Sequence, residues 1–238
     1  MKRTLISETP EHVGEQVKLC GFVHIRRDHG KLIFIELRDR SGKVQLVVLP
    51  ENAVAIEAAK EVRSEYIVEV EGLVKERPGK AQKEGSATGG VEIEVASVVV
   101  LGKPEGELPL EISSPEINLN LETLLNNRTI TLRHDKVRAI FEMYSELLAS
   151  YDEAMRGDGF VEIKTPKILD AATEGGANFF KIKYFDRDAF LAQSPQFYKQ
   201  MMVGVFERVY EVGPVFRAEP HETARHLNEY VSLDVEMG

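Results

Sequence analysis

The sequence predicts an α+β protein in two parts, a five-stranded β-barrel followed by a domain of strands with flanking helices. Three observations predict it: five β-branched, partly alternating segments with one helical segment among them, a stretch rich in Pro and Ser, and then a long apolar stripe at helical spacing. With 238 residues, 43% apolar and 29% charged, the chain suits one large domain or two modest ones, and two is the expectation.

Strands are expected at Val17 to His24, Leu32 to Asp39, Lys43 to Leu49, Tyr66 to Lys75 and Val91 to Leu101. Asp39-Arg40-Ser41-Gly42 reads as a hairpin turn. Between the third and fourth strands, Asn52 to Arg63 carries Val54, Ala55, Ala58, Ala59 and Val62 at helical spacing. Five strands with one helix after the third is the order of an OB-fold barrel. An immunoglobulin-like sandwich, which needs about seven strands and no helix, ranks second. Gly79 to Gly90 reads as an exposed loop, and Gly102 to Asn127, with Pro104, Pro109 and Pro115, as a linker. The boundaries are residues 1–103 for the barrel, 104–130 for the linker and 131–238 for the second domain.

Asp135 to Arg156 then sets Val137, Ile140, Phe141, Tyr144, Leu147, Leu148, Tyr151 and Met155 three and four residues apart, one stripe along a long helix. Gly157-Asp158-Gly159 stops it. Phe160 to Lys164 alternates as a short strand, and Val209 to Arg217 and Tyr230 to Met237 are two more strands joined by a polar segment.

Composition excludes several classes. The longest apolar run, Val98 to Leu101, falls far short of the roughly 20 residues of a membrane helix, and the N-terminus lacks the apolar core of a signal peptide. The chain therefore reads as cytoplasmic with no membrane partner. Cys20 is the only cysteine, so no internal disulfide and no cysteine-built zinc site is possible, and it reads as a small core hydrophobe. A net charge of −9 argues against nonspecific coating of nucleic acid. Between Lys18 and Lys43, however, seven basic residues face three acidic ones. That excess reads either as a small basic face for a partner approached at one site or as a solvated strand surface.

The segment Val215-Phe216-Arg217-Ala218-Glu219, a polar loop, and Arg225-His226-Leu227-Asn228-Glu229 running into Leu233-Asp234-Val235-Glu236-Met237 resembles motif 2 of the class II aminoacyl-tRNA synthetases. The preceding helix, with Gly157 to Phe160 and Lys164-Thr165-Pro166, resembles motif 1, the dimer-forming element of that family. Gln193-Ser194-Pro195-Gln196-Phe197-Tyr198-Lys199-Gln200 resembles the substrate segment of its aspartyl-tRNA synthetases, of the archaeal and eukaryotic branch. The resemblance covers nearly the whole chain.

It implies a barrel that reads the anticodon and the first part of a class II antiparallel sheet domain, a homodimer through motif 1, and an aspartate–tRNA ligase using ATP, Mg2+ and L-aspartate. Arg217 would bridge the α-phosphate and the attacking carboxylate, a task for a rigid fork of donors. Glu219, Arg225, His226 and the Leu227 backbone would hold the rest of ATP, though His226 alone also reads as a structural histidine. Glu174, in Thr173-Glu174-Gly175-Gly176, and Gln196 would take the α-ammonium of aspartate. Lys199 would face its side-chain carboxylate, which favours aspartate over asparagine because a buried ammonium opposite a neutral amide lacks a counter-charge. Asp234 and Glu236 alternate on one strand face, so Asp234 could hold Lys199 and Glu236 a magnesium ion, or both could be surface carboxylates.

Phe34 and Gln45, eleven positions apart, match the family's stacking and edge-reading pair for the central anticodon base, with Glu92 for the first base. Singly, Phe34 also reads as core. His24 and Pro78 match members that charge tRNA(Asn) as well as tRNA(Asp). Strict members tend to carry tryptophan in the first place and a lysine just after the second, where this chain has Gly79. The sequence reaches Gly238 before motif 3, so the 238 residues alone are expected to be inactive. Three alternatives stand beside this: an asparaginyl-tRNA synthetase, a non-catalytic OB-fold RNA-binding and dimerisation module, and a synthetase-related asparagine synthetase, against which the barrel counts.

Overall fold

The computed structural model describes residues 1–30, 32–79, 82, 85–171, 179–221, 223 and 226–238. The chain forms two compact units, Met1–Lys136 and Val137–Gly238.

In the first unit, β1 (Gln16–Asp28), β2 (Ile33–Arg38), β3 (Lys43–Val48), α1 (Ala53–Glu61), β4 (Ile67–Glu76) and β5 (Val91–Gly102) follow one another. The strands close in the order β1-β2-β3-β5-β4, and β1 seals the barrel by pairing antiparallel with both β2 and β4. This is the OB-fold topology that the element order implied. Alternation decides what goes inside: Val17, Leu19 and Val23 of β1, Ile33, Ile35 and Leu37 of β2, and Val68, Val70 and Val74 of β4 all enter one apolar core. Each such side chain stabilises the unit by about 1.5–3 kcal/mol. Closure needs tight approaches, and a Cβ on Gly21 or Gly72 would come within 2.5 Å of the Arg38 or Glu94 carbonyl oxygen. Helix α1 is capped by Asn52, whose Oδ1 accepts from the Ala55 amide at 3.1 Å, and buries Ala55 and Ala59 against the barrel.

Two expectations are corrected here, and two features are added. Cys20 is not core: it alternates with Leu19 and points outward, its Sγ donating to Glu69 Oε2 at 3.7 Å. The basic stretch is not a single basic face, because Lys18 pairs with Glu69, Arg26 with Asp28, Arg38 with Glu65 and Lys43 with Asp135. Within residues 104–130, read as a linker, Ile112 is buried, and α2 (Leu121–Asn126), capped by Asn120, and α3 (Arg128–Thr131) lie there, with His134 Nε2 2.9 Å from the Ser114 carbonyl. A 3-10 turn, Ile6–His12, which has no periodic signal, adds the fully buried Ile6 to the core.

The second unit holds most of α4 (Asp135–Gly157), then β6 (Val161–Glu162), β7 (Ile168–Leu169), β8 (Lys181–Tyr184), β9 (Arg187–Leu191), α5 (Gln196–Phe206), β10 (Arg208–Phe216) and β11 (Glu229–Met237). β10 and β11 form a long antiparallel ribbon from Arg208 opposite Met237 to Phe216 opposite Glu229, with β6 parallel to β10. A second small sheet has the order β7-β9-β8. The elements from β7 to α5 were not expected: β7, β8 and β9 are short, whereas α5 does set Phe197, Met201 and Val205 four residues apart. On α4 only Val137 is buried, and Ile140, Phe141, Tyr144 and Leu147 of its stripe are exposed.

Candidate functional site

The β10–β11 ribbon organises the second unit's polar groups. Residues opposite one another in an antiparallel pair share a face, so Glu211 and Val215 stand with Tyr230, Asp234 and Glu236 on one side. Arg217 follows directly after β10. Its amide donates to the Asn228 carbonyl at 2.9 Å, and its guanidinium lies 5.9 Å from the centre of the Tyr230 ring, a cation–π distance. Arg217, Glu219, His226, Leu227 and Tyr230 line one pocket of about 390 Å³. His226 Nε2 is 3.7 Å from Glu219 Oε2 and its Nδ1 2.6 Å from Thr223 Oγ1, so the ring is held from two sides. Asn228, with its amide nitrogen turned inward, donates to the carbonyls of Arg217 and Glu219, both at 3.0 Å. Four of the nucleotide-binding candidates thus meet in one cavity. Arg225 lies outside the described residues.

The substrate segment opens α5. Pro195 precedes the first turn, so Gln196 begins the helix, half-buried, and Lys199 sits one turn in with its amide bonded to the Pro195 carbonyl at 2.9 Å. The Lys199 side chain is buried and turns to β11, where Nζ donates to Asp234 Oδ1 at 3.0 Å and lies 3.5 Å from Glu236 Oε2. Lysine and both carboxylates therefore form one cluster. Glu174 lies outside the described residues.

Glu211 is the residue that sequence reasoning missed. It is 2% exposed, accepts from the Thr165 amide at 2.9 Å and from Thr165 Oγ1 at 2.7 Å, and pairs with Lys167 at 3.1 Å. The signal was an acid inside the apolar run Val209-Tyr210-Glu211-Val212. Behind the ribbon, Tyr210 is fully buried with its hydroxyl bonded to Asp152; burial, and then that hydrogen bond, push its phenol up to about 12.

On the barrel, Phe34 and Gln45 are half-buried, point outward, and share a pocket with Ile25, Arg27 and Glu36. Phe34 is therefore not core. Its ring meets His29 edge-to-face at 5.5 Å. Gln45 Nε2 donates to Glu92 Oε2 at 3.2 Å across the β3–β5 pair, and Arg77 stands 3.7 Å from the same carboxylate. The three anticodon candidates thus share one face of neighbouring strands. His24 does not join them. A register shift in β1 between Val23 and Ile25 turns it inward to 5% exposure, beside Arg38 and Lys43. Burial, and then those two charges, hold its imidazole below the usual histidine range. Pro78 is exposed just after β4.

A family of OB-fold nucleic acid binding domains matches residues 17–101, and the family of tRNA synthetases class II (D, K and N) matches residues 120–238, half of the chain. The chain belongs to the class II tRNA synthetases. This class II chain is 49% identical over its whole length to the aspartate–tRNA(Asp/Asn) ligase of Deinococcus radiodurans, covering 51% of that protein. It is 45% identical, over 99% of its length, to the enzyme of the same description from Thermus thermophilus, covering 52% of it. Among solved structures, asparaginyl-tRNA synthetase from Pyrococcus horikoshii with asparaginyl-adenylate matches with a TM-score of 0.87 and 36% identity, over 100% of this chain and 53% of that one. Aspartyl-tRNA synthetase from Entamoeba histolytica matches with a TM-score of 0.81 and 30% identity, over 100% of this chain and 50% of that one. The chain spans about half the length of the curated relatives it matches.

Proposed function

We propose that the protein carrying this chain is an aspartate–tRNA ligase that activates L-aspartate with ATP and transfers it to tRNA(Asp) and also to tRNA(Asn). The observation that carries the reading is the single pocket shared by Arg217, Glu219, His226 and Leu227. The aspartate α-carboxylate attacks the α-phosphorus of ATP, a P–O bond forms, and pyrophosphate leaves with the electron pair of the broken bond. Two anions must meet, and the planar fork of Arg217 bridges the carboxylate and the phosphate while charge accumulates between them. Glu219 accepts from the adenine amino group, the Leu227 backbone flanks the ring, and Arg225 and His226 reach the outer phosphates.

Lys199 selects the amino acid. Held by Asp234, its ammonium pairs with a second carboxylate but finds no counter-charge in an asparagine side chain. The asparaginyl alternative, favoured by the likeness to the Pyrococcus horikoshii structure, is weaker on that ground. Gln196 and Glu174 take the α-ammonium. Among the described residues no group of three or more His, Cys, Asp or Glu could hold a metal ion. A donor set with one carboxylate, Glu236, fits magnesium carried largely by phosphate oxygens. When bound, magnesium offsets the negative charge of those phosphates.

The barrel takes the anticodon, Phe34 stacking the central base, Gln45 reading its edge and Glu92 the first base. His24 and Pro78 belong to the relaxed tRNA choice, and the exposed stripe of α4 forms a homodimer. No helix of the described residues is long and apolar enough to cross a membrane, and we place the protein in the cytoplasm.

Aspartate charging of separate tRNA(Asp) and tRNA(Asn) transcripts by the full-length protein tests this. Charging of both is expected. Charging of tRNA(Asp) alone removes the relaxed choice, and charging of neither favours a binding module.

A further inference from the structure

We propose that Glu211 is a positioning residue that sets the spacing between Arg217 and the amino-acid segment 193–199, an inference that rests on the ligase reading above. That reading gives Glu211 no task, yet it is a carboxylate at 2% exposure on β10. A buried charge is costly unless well paired, and an apolar side chain of similar volume often serves stability as well. What the carboxylate adds here is geometry.

Its donors come from one short segment, residues 165–167. The Thr165 amide donates to Oε1 at 2.9 Å, the Thr165 hydroxyl donates to Oε2 at 2.7 Å, and Lys167 Nζ lies 3.1 Å from Oε2. The sequence explains why a side chain has this task. β6 runs parallel to β10, and the chain stays on it as far as the Ile163 amide, which donates to the Tyr210 carbonyl at 2.9 Å. Pro166 then has no N–H with which to carry the ladder on. The Glu211 carboxylate takes over there and holds Thr165 and Lys167 against β10.

The candidate site hangs from that segment. The Lys167 carbonyl accepts from the Ala192 amide at 3.0 Å, and the Ala192 carbonyl accepts from the Phe216 amide at 2.9 Å. Ala192, 1% exposed, directly precedes the segment 193–199, and Phe216 directly precedes Arg217. Glu211, Thr165, Lys167, Ala192 and Phe216 therefore close a circuit whose last side is β10 itself. The amino-acid groups leave the circuit at Ala192 and Arg217 leaves it at Phe216. Arg217, Glu219 and His226 stay with the ribbon, which is held by its own β10–β11 pairing. Loosening the Glu211 corner moves the segment 193–199 against the ribbon and leaves the nucleotide groups in place. Lys199 keeps a second hold in Asp234 at 3.0 Å, so the displacement falls first on Gln196, at the end nearer Ala192.

Aspartate-dependent pyrophosphate exchange by the full-length protein, wild type against Glu211→Gln, tests this, with thermal melts confirming folding. The amide keeps an acceptor for the Thr165 N–H but loses the charge pair with Lys167. The aspartate KM is expected to rise about tenfold while the ATP KM stays within about twofold. A merely structural role would lower the active fraction, and so kcat, with both KM values unchanged. Adding Lys167→Met removes the cation left facing the amide and should return the aspartate KM to within about threefold of wild type, since glutamine still donates and accepts at Thr165. If Glu211→Gln does not fold, Thr165→Val, which deletes one bond from the corner, carries the same split with an aspartate KM raised about threefold. An unchanged aspartate KM in folded variants, equal rises for both substrates, or no recovery in the double variant overturns the positioning role and leaves the ligase reading standing. Absence of exchange by the wild type overturns both.

Discussion

The barrel and the second unit solve opposite problems. The barrel closes on itself, and its inward residues from all five strands form one continuous apolar core. The second unit encloses few apolar groups, chiefly Val209, Tyr210, Val215 and Ile163, and leaves Ile140, Phe141, Tyr144 and Leu147 of α4 and Val231, Leu233, Val235 and Met237 of β11 exposed. Its buried polar groups instead make pairs: Glu211 with Thr165 and Lys167, and Lys199 with Asp234. A closed core supplies stability and presents its function on an outer face. A half-covered sheet keeps its charged groups at one surface and depends on other surfaces for cover.

Substitutions sharpen this contrast. The largest effect falls on the polar cluster: Lys199→Met should cost aspartate use by the full-length protein about 3–5 kcal/mol in kcat/KM, because Asp234 and the substrate carboxylate lose their shared cation. Steady-state kinetics with aspartate check it. In the barrel, Leu37→Ala, which empties a fully buried site, should lower the unfolding free energy by about 2–5 kcal/mol in urea titrations.

The two regions should also weaken at opposite ends of the pH scale. The His24 imidazole is held below its ordinary value, so its contribution is present above about pH 6.5 and is lost as pH falls and the unfolded chain takes up the proton first. The Tyr210 phenol is raised to about 12, so its contribution is intact below about pH 10 and is lost as pH rises toward 12. Chemical denaturation across pH should show both slopes, with His24→Gln flattening the acid one and Tyr210→Phe the alkaline one. The smallest effect on stability belongs to the exposed stripe: Leu147→Glu should change the unfolding free energy by only about 0.5 kcal/mol, yet abolish dimers of the full-length protein in sedimentation.

The same contrast explains what could be read in advance. Barrel strands announce themselves because alternation along β2 and β4 tracks a core that the barrel itself completes. Strand β1 ran further than expected, to Asp28, because its bulge breaks the alternation at Val23 and His24. In the second unit, β8 and β9 are joined by short polar contacts, such as Lys181 with Asp188, and are too short to leave a period to detect. The site residues were legible through resemblance alone. Glu219 and His226 lie in a loop with no pattern of its own, and the burial of Lys199 follows from a contact 35 residues away in sequence. Resemblance named His24 but carried no information on its exposure, and the register shift in β1 buries it.

The most direct test of the central claim is aspartate-dependent exchange of pyrophosphate into ATP by the full-length protein, wild type against Arg217→Lys. The account predicts exchange by the wild type and a loss of about 100-fold or more in the variant, since an ammonium cannot bridge carboxylate and phosphate as the planar fork does. Exchange that proceeds equally well with lysine at position 217 would contradict it.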